Sequence, residues 1–139
     1  MEYVALPEGS PTLWGFNKVQ DTTYLAWHNE LDRLIGTINL RHNLNGDFIR
    51  KYGGHIGYAI HPDFWGQGYG SEMLKLGLVK AKDIGLDRVL ITCEESNIAS
   101  EKVILNNGGV FETLVDGKIK RFWVGGVGEN TVLEPRVSP

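Results

Sequence analysis

Three glycines at alternate positions, Gly66, Gly68 and Gly70, lie between a short apolar segment and a longer helical pattern. Residues 56–60 are apolar and β-prone, and Pro62 ends that segment because proline lacks the N–H donor that continued strand pairing needs. A glycine turn at the start of a helix leaves backbone N–H groups, and the positive end of the helix dipole, aimed at one point. This arrangement is typical of an anion site, and phosphate is the anion that most often fills it.

The same glycine turn has competing interpretations. Its glycines can serve only a tight strand-to-helix connection, where they supply positive φ angles and close packing. It can also belong to a nucleotide-binding domain. However, no lysine precedes Ser71 as a P-loop requires, and the spacing GxGxG differs from the GxGxxG of a dinucleotide fold. Glu94, at the end of the next predicted strand, could still imitate the ribose-binding acid of that fold.

Composition disfavours several other classes of function. A formal charge of −3 gives no basic footprint for nucleic acid, and no apolar run approaches the length of a membrane helix. Cys93 is the only cysteine, so neither an intrachain disulfide nor a cysteine-based metal cluster is expected, and a reducing, cytoplasmic setting is the default. No HxxxH or HExxH pattern predicts a metal site, and no GxSxG elbow predicts a serine hydrolase.

The elements around the turn predict one domain built on one sheet. Predicted strands cover residues 22–28, 34–41, 56–60, 88–93, 110–115 and 118–124. Asp116-Gly117 is the strongest hairpin signal in the chain. The strand, helix and strand of residues 56–93 predict one parallel crossover. The fold class is therefore mixed α+β, with antiparallel hairpins on either side of one β-α-β unit.

Two helices are predicted between these strands. The first is capped by Gly70 or Ser71 and ends at Gly85, which suits the position after a helix C-terminus. The second covers residues 98–107 and is capped by Asn97 or the serine before it.

Two motifs resemble the GNAT superfamily of N-acetyltransferases. The run Tyr58-Ala59-Ile60-His61-Pro62, followed by Gln67-Gly68-Tyr69-Gly70, resembles motif A of that family. Residues 97–103 (NIASEKV), continuing through Gly108-Gly109, resemble its motif B. Within the superfamily the chain is most similar to predicted acetyltransferases of unassigned substrate.

The resemblance covers roughly residues 22–124 and implies a GNAT-like central sheet, mostly antiparallel, whose two parallel strands splay apart. Residues 1–21 are then an irregular N-terminal arm and residues 125–139 a C-terminal tail. The family fold begins with a strand and two helices, and residues 1–21 are too few to supply them all. The N-terminal helices are therefore expected to be abbreviated, or to be completed by a partner subunit or an absent segment.

The resemblance also implies acetyl-CoA as the acetyl donor. The backbone of Ala59 and Ile60 would pair with the pantetheine arm, and the Ile60 N–H would stabilise the charge that develops on the thioester oxygen. Asn97 would reach the pantetheine end, or serve as a plain helix cap, and Ser100 would line the CoA side. The backbone that would hold the pyrophosphate runs through Trp65, Gly66, Gln67, Gly68, Tyr69, Gly70 and Ser71.

The chain departs from the family pattern at two positions. Trp65 replaces the usual Arg or Gln, and Ile104 stands where a tyrosine commonly protonates the leaving thiolate. The general acid is therefore left open among Cys93, Ser100, Tyr69 and water.

Four residues are candidates for the base that takes the proton of the acceptor amine. His55 ranks first because histidine titrates near neutral pH, and Tyr58, Glu94 and Glu95 follow. His55 could instead hydrogen-bond the glycine loop before it, and the two glutamates could be solvated strand-end acids. Arg41 and His42, at the end of the second predicted strand, are expected to line the acceptor pocket or to be ordinary surface residues.

The predicted function is transfer of an acetyl group from acetyl-CoA to a primary amine, of a small molecule or a peptide, by direct attack in a ternary complex. A non-catalytic acyl-CoA-binding module is the alternative, motivated by Ile104 and the short N-terminal region. Phe122 and Trp123 in the last hairpin favour a homodimer.

Overall fold

The structure is a computed structural model that describes residues 2–5 and 20–125. Its strands are β1 (Glu2–Ala5), β2 (Asp21–His28), β3 (Arg33–Arg41), β4 (Ile56–Ile60), β5 (Arg88–Glu94), β6 (Val110–Val115) and β7 (Ile119–Gly125). Its α-helices are α1 (Tyr69–Asp83) and α2 (Ile98–Asn106), with a π-helical turn at Ile49–Gly53 and a 3-10 turn at Pro62–Phe64. Every predicted strand and both predicted helices are present.

All seven strands form one sheet, in the order β1-β2-β3-β4-β5-β7-β6. Only the central pair, β4 and β5, is parallel; the other neighbours are antiparallel. The β4-α1-β5 connection is therefore the one crossover between adjacent parallel strands, as predicted for a mixed α+β fold, while the connection from β5 through α2 to β6 passes over β7. At the β6–β7 turn, Asp116 and Gly117 have φ angles of 54° and 66°, the left-handed pair that a tight hairpin requires.

Helix α1 packs on the central strands, and at the point of closest approach the helix carries a glycine instead of a large side chain. A Cβ atom on Gly77 would lie 2.5 Å from Cδ1 of Ile38, so a larger residue would require the Ile38 side chain to move. Met73, Leu74 and Ala81 bury the rest of this face. Ile104 of α2 is fully buried in the same core.

The ends of α1 correct one prediction and confirm another. The N-cap is Gly68, with φ +86° and no capping side-chain hydrogen bond, rather than Gly70 or Ser71. A left-handed N-cap needs no side-chain oxygen in its sequence, which is why the capping rule missed it. Gly85 follows the C-terminus with φ +93°, as predicted.

The N-terminal region contains a strand that the sequence pattern did not predict. Glu2–Ala5 pair antiparallel with β2, from Glu2 opposite Trp27 to Ala5 opposite Tyr24. The predicted packing of Leu13, Trp14 and Phe16, and the predicted tail beyond Gly125, lie outside the described residues. No helix among the described residues is long and apolar enough to cross a membrane.

Candidate active site

The central parallel strands join at one end and separate beyond it. Their register contains one pair, Ile56 with Ile91, and Gly54 adds an isolated bridge to the same residue of β5. The described chain places no strand against the rest of β4 on this side. The result is a gap between β4 and β5 that opens toward the carboxyl ends of both strands, and we call it the strand gap.

Hydrogen bonds with β3 establish which backbone groups of β4 face the strand gap. Arg41 N–H donates to His55 O, and His61 N–H donates to Ile35 O. Both bonds follow the same antiparallel register between the two strands. Because bonding alternates in an antiparallel pair, the N–H and C=O groups of Tyr58 and Ile60 point away from β3, into the strand gap. The Ile60 N–H therefore faces the side on which the pantetheine arm is expected, and its pairing with that arm stays a prediction. The predicted partner Ala59 instead directs its polar groups at β3, because it lies opposite Thr37 in that pair.

The glycine turn ends the strand gap on the β4 side. Gly66 and Gly68 have φ angles of +73° and +86°, and a Cβ on either would meet no atom within 4 Å. The first turn of α1 begins at Tyr69 without a capping side chain, and Glu72 N–H is bonded to Gly68 O. The first backbone N–H groups of α1 therefore have no capping side chain, and the positive end of the helix dipole lies at this point.

Side chains of the turn hold its own backbone. Trp65 Nε1 donates to Ile60 O at 2.8 Å, and Gln67 Nε2 donates to Asp63 O at 3.1 Å. Asn107 Nδ2 donates to Ser71 O at 3.1 Å, which fixes the first turn of α1 against the end of α2. The unexpected Trp65 thus has a local role, since its indole closes the turn back onto the end of β4.

Gly70 differs from the other glycines of the turn. A Cβ there would lie 3.2 Å from Cγ2 of Val103, so Gly70 permits the close packing of α1 on α2. For this position the packing interpretation of the glycine turn is the better one. Tyr69 turns its ring toward Phe64, at 5.6 Å between centroids, and lines a cleft of about 350 Å³ next to the β2–β3 turn.

Two hydroxyl groups meet across the strand gap. Tyr58 Oη on β4 and Ser100 Oγ on α2 are 3.0 Å apart, and either can donate to the other. Burial raises the pKa of the Tyr58 phenol, so this hydroxyl keeps its proton at neutral pH. The pair connects the strand that carries Ile60 with the helix that follows β5.

A thiol and an ion pair lie next to these hydroxyls. Cys93 is 8% exposed, and burial, with the nearby Glu101 carboxylate, raises the pKa of its thiol. Lys120 Nζ on β7 donates to Glu101 Oε1 at 2.9 Å, which raises the pKa of the lysine. Sequence reasoning missed Lys120 and Glu101. The β5–β7 register puts Lys120 opposite Cys93, but a sequence alone does not give the order of those strands.

Asn97 caps α2. Its Oδ1 accepts a hydrogen bond from Ser100 N–H at 3.0 Å, which is the helix-cap alternative raised for this residue. The cap fixes the first turn of α2 and thereby the position of the Ser100 hydroxyl. A ligand contact by the Asn97 side-chain amide stays a prediction.

His55 lies inside the sheet rather than at an acceptor pocket. It is 5% exposed, and its Nδ1 accepts a hydrogen bond from Leu90 N–H at 2.9 Å. Burial, with the nearby Arg41 charge, lowers the pKa of His55 from 6.5 to about 4. An acceptor nitrogen already bonded to the backbone is poorly placed to take a proton from an amine, so the geometry disfavours His55 as the base.

The two residues expected at the acceptor pocket both have internal partners. Arg41 is 8% exposed, and its Nη1 donates to Gly53 O at 3.1 Å and to Gly54 O at 2.9 Å. His42 Nε2 is 2.9 Å from Thr22 Oγ1. These bonds favour a structural role for Arg41 in holding the loop before β4.

The two glutamates at the end of β5 remain exposed at the open end of the strand gap. Glu94 is the last residue of β5, and Glu95 N–H donates to Lys118 O at 2.7 Å. Both carboxylates are therefore accessible to an incoming cation. Among residues 2–5 and 20–125, no group of three or more His, Cys, Asp or Glu side chains could hold a metal ion.

The chain belongs to the GNAT acetyltransferase family, whose acetyltransferase (GNAT) domain model matches residues 9–110. Solved structures agree on the fold. Spermidine N-acetyltransferase SpeG from Vibrio cholerae, in a point-mutant form, superposes with a TM-score of 0.59 at 16% identity, covering 76% of this chain and 65% of that one. RimL, a ribosomal L7/L12 alpha-N-protein acetyltransferase in complex with coenzyme A, gives 0.57 at 22% identity, covering 76% and 62%. The chain thus spans less than two thirds of the length of these two proteins.

Proposed function

We propose that this protein transfers an acetyl group from acetyl-CoA to a primary amine. The observation that carries the proposal is the continuity between the open edge of β4 and the uncapped start of α1. The former offers the backbone groups of Tyr58 and the N–H of Ile60 to an extended chain, and the latter offers backbone N–H groups to a phosphate. A pantetheine arm ending in a pyrophosphate has these two chemical features in this order. Membership of the GNAT family supports the same ligand.

Each part of the strand gap has a distinct task in the proposed reaction. The amine attacks the thioester carbonyl, the C–S bond breaks, and the thiolate that leaves needs a proton. The Ile60 N–H is directed into the strand gap, where it stabilises negative charge on the carbonyl oxygen. The Tyr58 and Ser100 hydroxyls lie across the same gap and supply the proton to the thiolate. This assignment fills the role that Ile104, which is fully buried, cannot take.

The acceptor is proposed to be a primary amine that approaches the open end of the strand gap. Glu94 and Glu95 present exposed carboxylates there, which attract an ammonium group and take up the proton that the amine loses. The names of the similar structures specify a polyamine in one case and a protein α-amine in the other. The shared chemistry, a primary amine, is what we carry to this chain.

Calorimetric titration with acetyl-CoA, followed by thiol release with a panel of amines, tests the proposal. Binding at micromolar concentration and turnover with at least one amine are expected. Binding without turnover for any amine would instead identify an acyl-CoA-binding module. Tighter binding of NAD or ATP than of coenzyme A would identify a nucleotide-binding domain.

A glycine variant directly tests the backbone of residues 65–71 as the proposed phosphate site, which we call the cradle. Gly68→Val puts a β-branched side chain into the space in front of the α1 N-terminus at a φ of +86°, and acetyl-CoA affinity is expected to fall at least about tenfold. Gly85→Val is the matched control, because Gly85 has φ +93° and open surroundings at the other end of the same helix. Both variants should lose similar stability, whereas only Gly68→Val should lose affinity. Equal affinities in the two variants would contradict the cradle.

We also propose that the chain forms a homodimer through β6, which is an edge strand of the sheet among the residues that the structure describes. Val110, Phe111 and Leu114 on this strand are 44%, 50% and 38% exposed. An apolar edge strand offers unpaired backbone groups as well as side chains to a second copy. Light scattering should give twice the monomer mass for the wild type and a monomer for Phe111→Lys. A monomeric wild type at tens of micromolar would exclude the dimer.

A further inference from the structure

The closed end of the strand gap is held by a small buried group of residues: Arg41, Gly54, His55, Leu90 and Ile91. We call this group the junction. Its central residue, His55, directly precedes β4 and lies three residues before Tyr58. Beyond it β4 and β5 separate, so the geometry of the junction determines how far apart they start.

His55 contacts Leu90 through both its backbone and its ring. His55 N–H donates to Leu90 O at 2.7 Å, and Leu90 N–H donates to His55 Nδ1 at 2.9 Å. The ring nitrogen therefore replaces the carbonyl oxygen that a neighbouring strand would normally offer to Leu90. It must be unprotonated to accept this bond, which places the ring proton on Nε2. Both groups are buried, so the spacing of the strands here depends on the backbone hydrogen bond and on the length of the His55 side chain together.

The other residues of the junction keep the backbones of β4 and β5 close together at this point. Arg41 N–H donates to His55 O at 2.7 Å, while its guanidinium group holds the carbonyls of the two preceding glycines. Gly54 has φ +72°, and a Cβ on it would lie 2.6 Å from Leu90 O. The backbone approach is therefore as close as the absence of a side chain permits, and the imidazole of His55 sets the distance next to it.

We propose that His55 is a positioning residue, whose ring sets the separation of β4 and β5 and thereby aligns Tyr58 and Ile60 with Ser100 for the pantetheine arm of acetyl-CoA. The inference rests on the proposed function. It differs from a purely structural role because the Tyr58–Ser100 contact of 3.0 Å spans the strand gap shortly beyond the junction. A small change in strand spacing separates those hydroxyls before it unfolds the sheet.

Three substitutions of His55 test the inference. His55→Asn keeps an acceptor atom at the same distance from the backbone as Nδ1, His55→Gln moves the acceptor outward by one methylene group, and His55→Leu removes it. Acetyl-CoA affinity, measured by calorimetry on the folded variants, is expected to stay within about threefold for Asn and to fall about tenfold for Gln and Leu. The comparison of Asn with Gln suffices if the Leu variant does not fold.

Binding of a cofactor fragment distinguishes a misaligned strand gap from a damaged cradle in these variants. The 3′-phosphorylated ADP part of coenzyme A lacks the pantetheine arm, so its affinity should be equal in the wild type and all folded variants. Equal acetyl-CoA affinities for Asn, Gln and wild type would overturn the positioning role, as would a parallel loss of fragment and acetyl-CoA binding. A wild type that does not bind acetyl-CoA would overturn the proposed function first, and the inference with it.

Discussion

Removing either hydroxyl of the Tyr58–Ser100 pair is expected to lower kcat about 100-fold, which corresponds to about 2.7 kcal/mol of barrier. In Tyr58→Phe and Ser100→Ala the leaving thiolate loses the donor that the structure places across the strand gap. Affinity for acetyl-CoA should change little, because the backbone groups of Tyr58 and Ile60 that face the gap are kept. Single-turnover rates together with calorimetric Kd values measure the two effects separately.

The double variant makes this prediction sharper. Two hydroxyls that deliver one proton act as a unit, so Tyr58→Phe with Ser100→Ala should be no slower than the slower single variant. Tyr24→Phe is the control, since Tyr24 is another partly buried tyrosine of the sheet with a raised pKa. It should leave kcat unchanged. Multiplicative losses in the double variant would show that the two hydroxyls act independently, and unchanged kcat in both single variants would assign the proton to solvent instead.

The assignment of Tyr58 as an acid also predicts how the rate depends on pH. Because burial raises the pKa of Tyr58 above its usual value of 10.0, the acid stays protonated through neutral and mildly alkaline pH. The rate with a saturating amine should therefore show no loss on the alkaline side below about pH 10 that depends on this residue.

The sequence predicted the parts of this fold that local patterns control. Residues 56–60 are apolar and β-prone with Pro62 shortly after them, and Asp116-Gly117 can occupy two left-handed positions, so both the central strand and the last hairpin were predictable. The cap of α1 was not, because Gly68 acts through its φ angle and carries no side-chain signal.

The site was less predictable because the role of each residue depends on neighbours in adjacent strands that are distant in the sequence. His55 looks like a base from its residue type, and only the contact with Leu90, 35 residues later, makes it a buried acceptor. Lys120 lies beside Cys93 because β7 is inserted between β5 and β6, an order no local pattern specifies. Ala59 and Ile60 looked equivalent until the pairing with β3 showed which of them faces the gap.

Acidification is expected to destabilise the fold through His55 by up to about 3.5 kcal/mol. The pKa of this histidine is about 4 in the folded protein, against 6.5 as its ordinary value. At about 1.4 kcal/mol per pH unit, the difference between the two values gives that figure. The folded state favours the neutral ring, so the contribution is complete above pH 6.5 and is lost as the pH falls from 6.5 to about 4. Urea unfolding at half-unit steps between pH 8 and 4 measures it.

Carboxylates also lose stabilising contacts in acid, so the contribution of His55 must be isolated by comparison. Asp63 and Glu112 have lowered pKa values because Arg33 and Arg121 donate to them, and their contributions disappear chiefly at the acidic end of the range. His55→Asn keeps an acceptor for Leu90 N–H but cannot be protonated, so its stability should be nearly constant from pH 6.5 to 5 while that of the wild type falls. Parallel curves for the two proteins over that interval would show that the ring does not have to lose its proton for folding. The junction would then accommodate a charged imidazole, which its bond from Leu90 N–H and the adjacent Arg41 guanidinium both oppose.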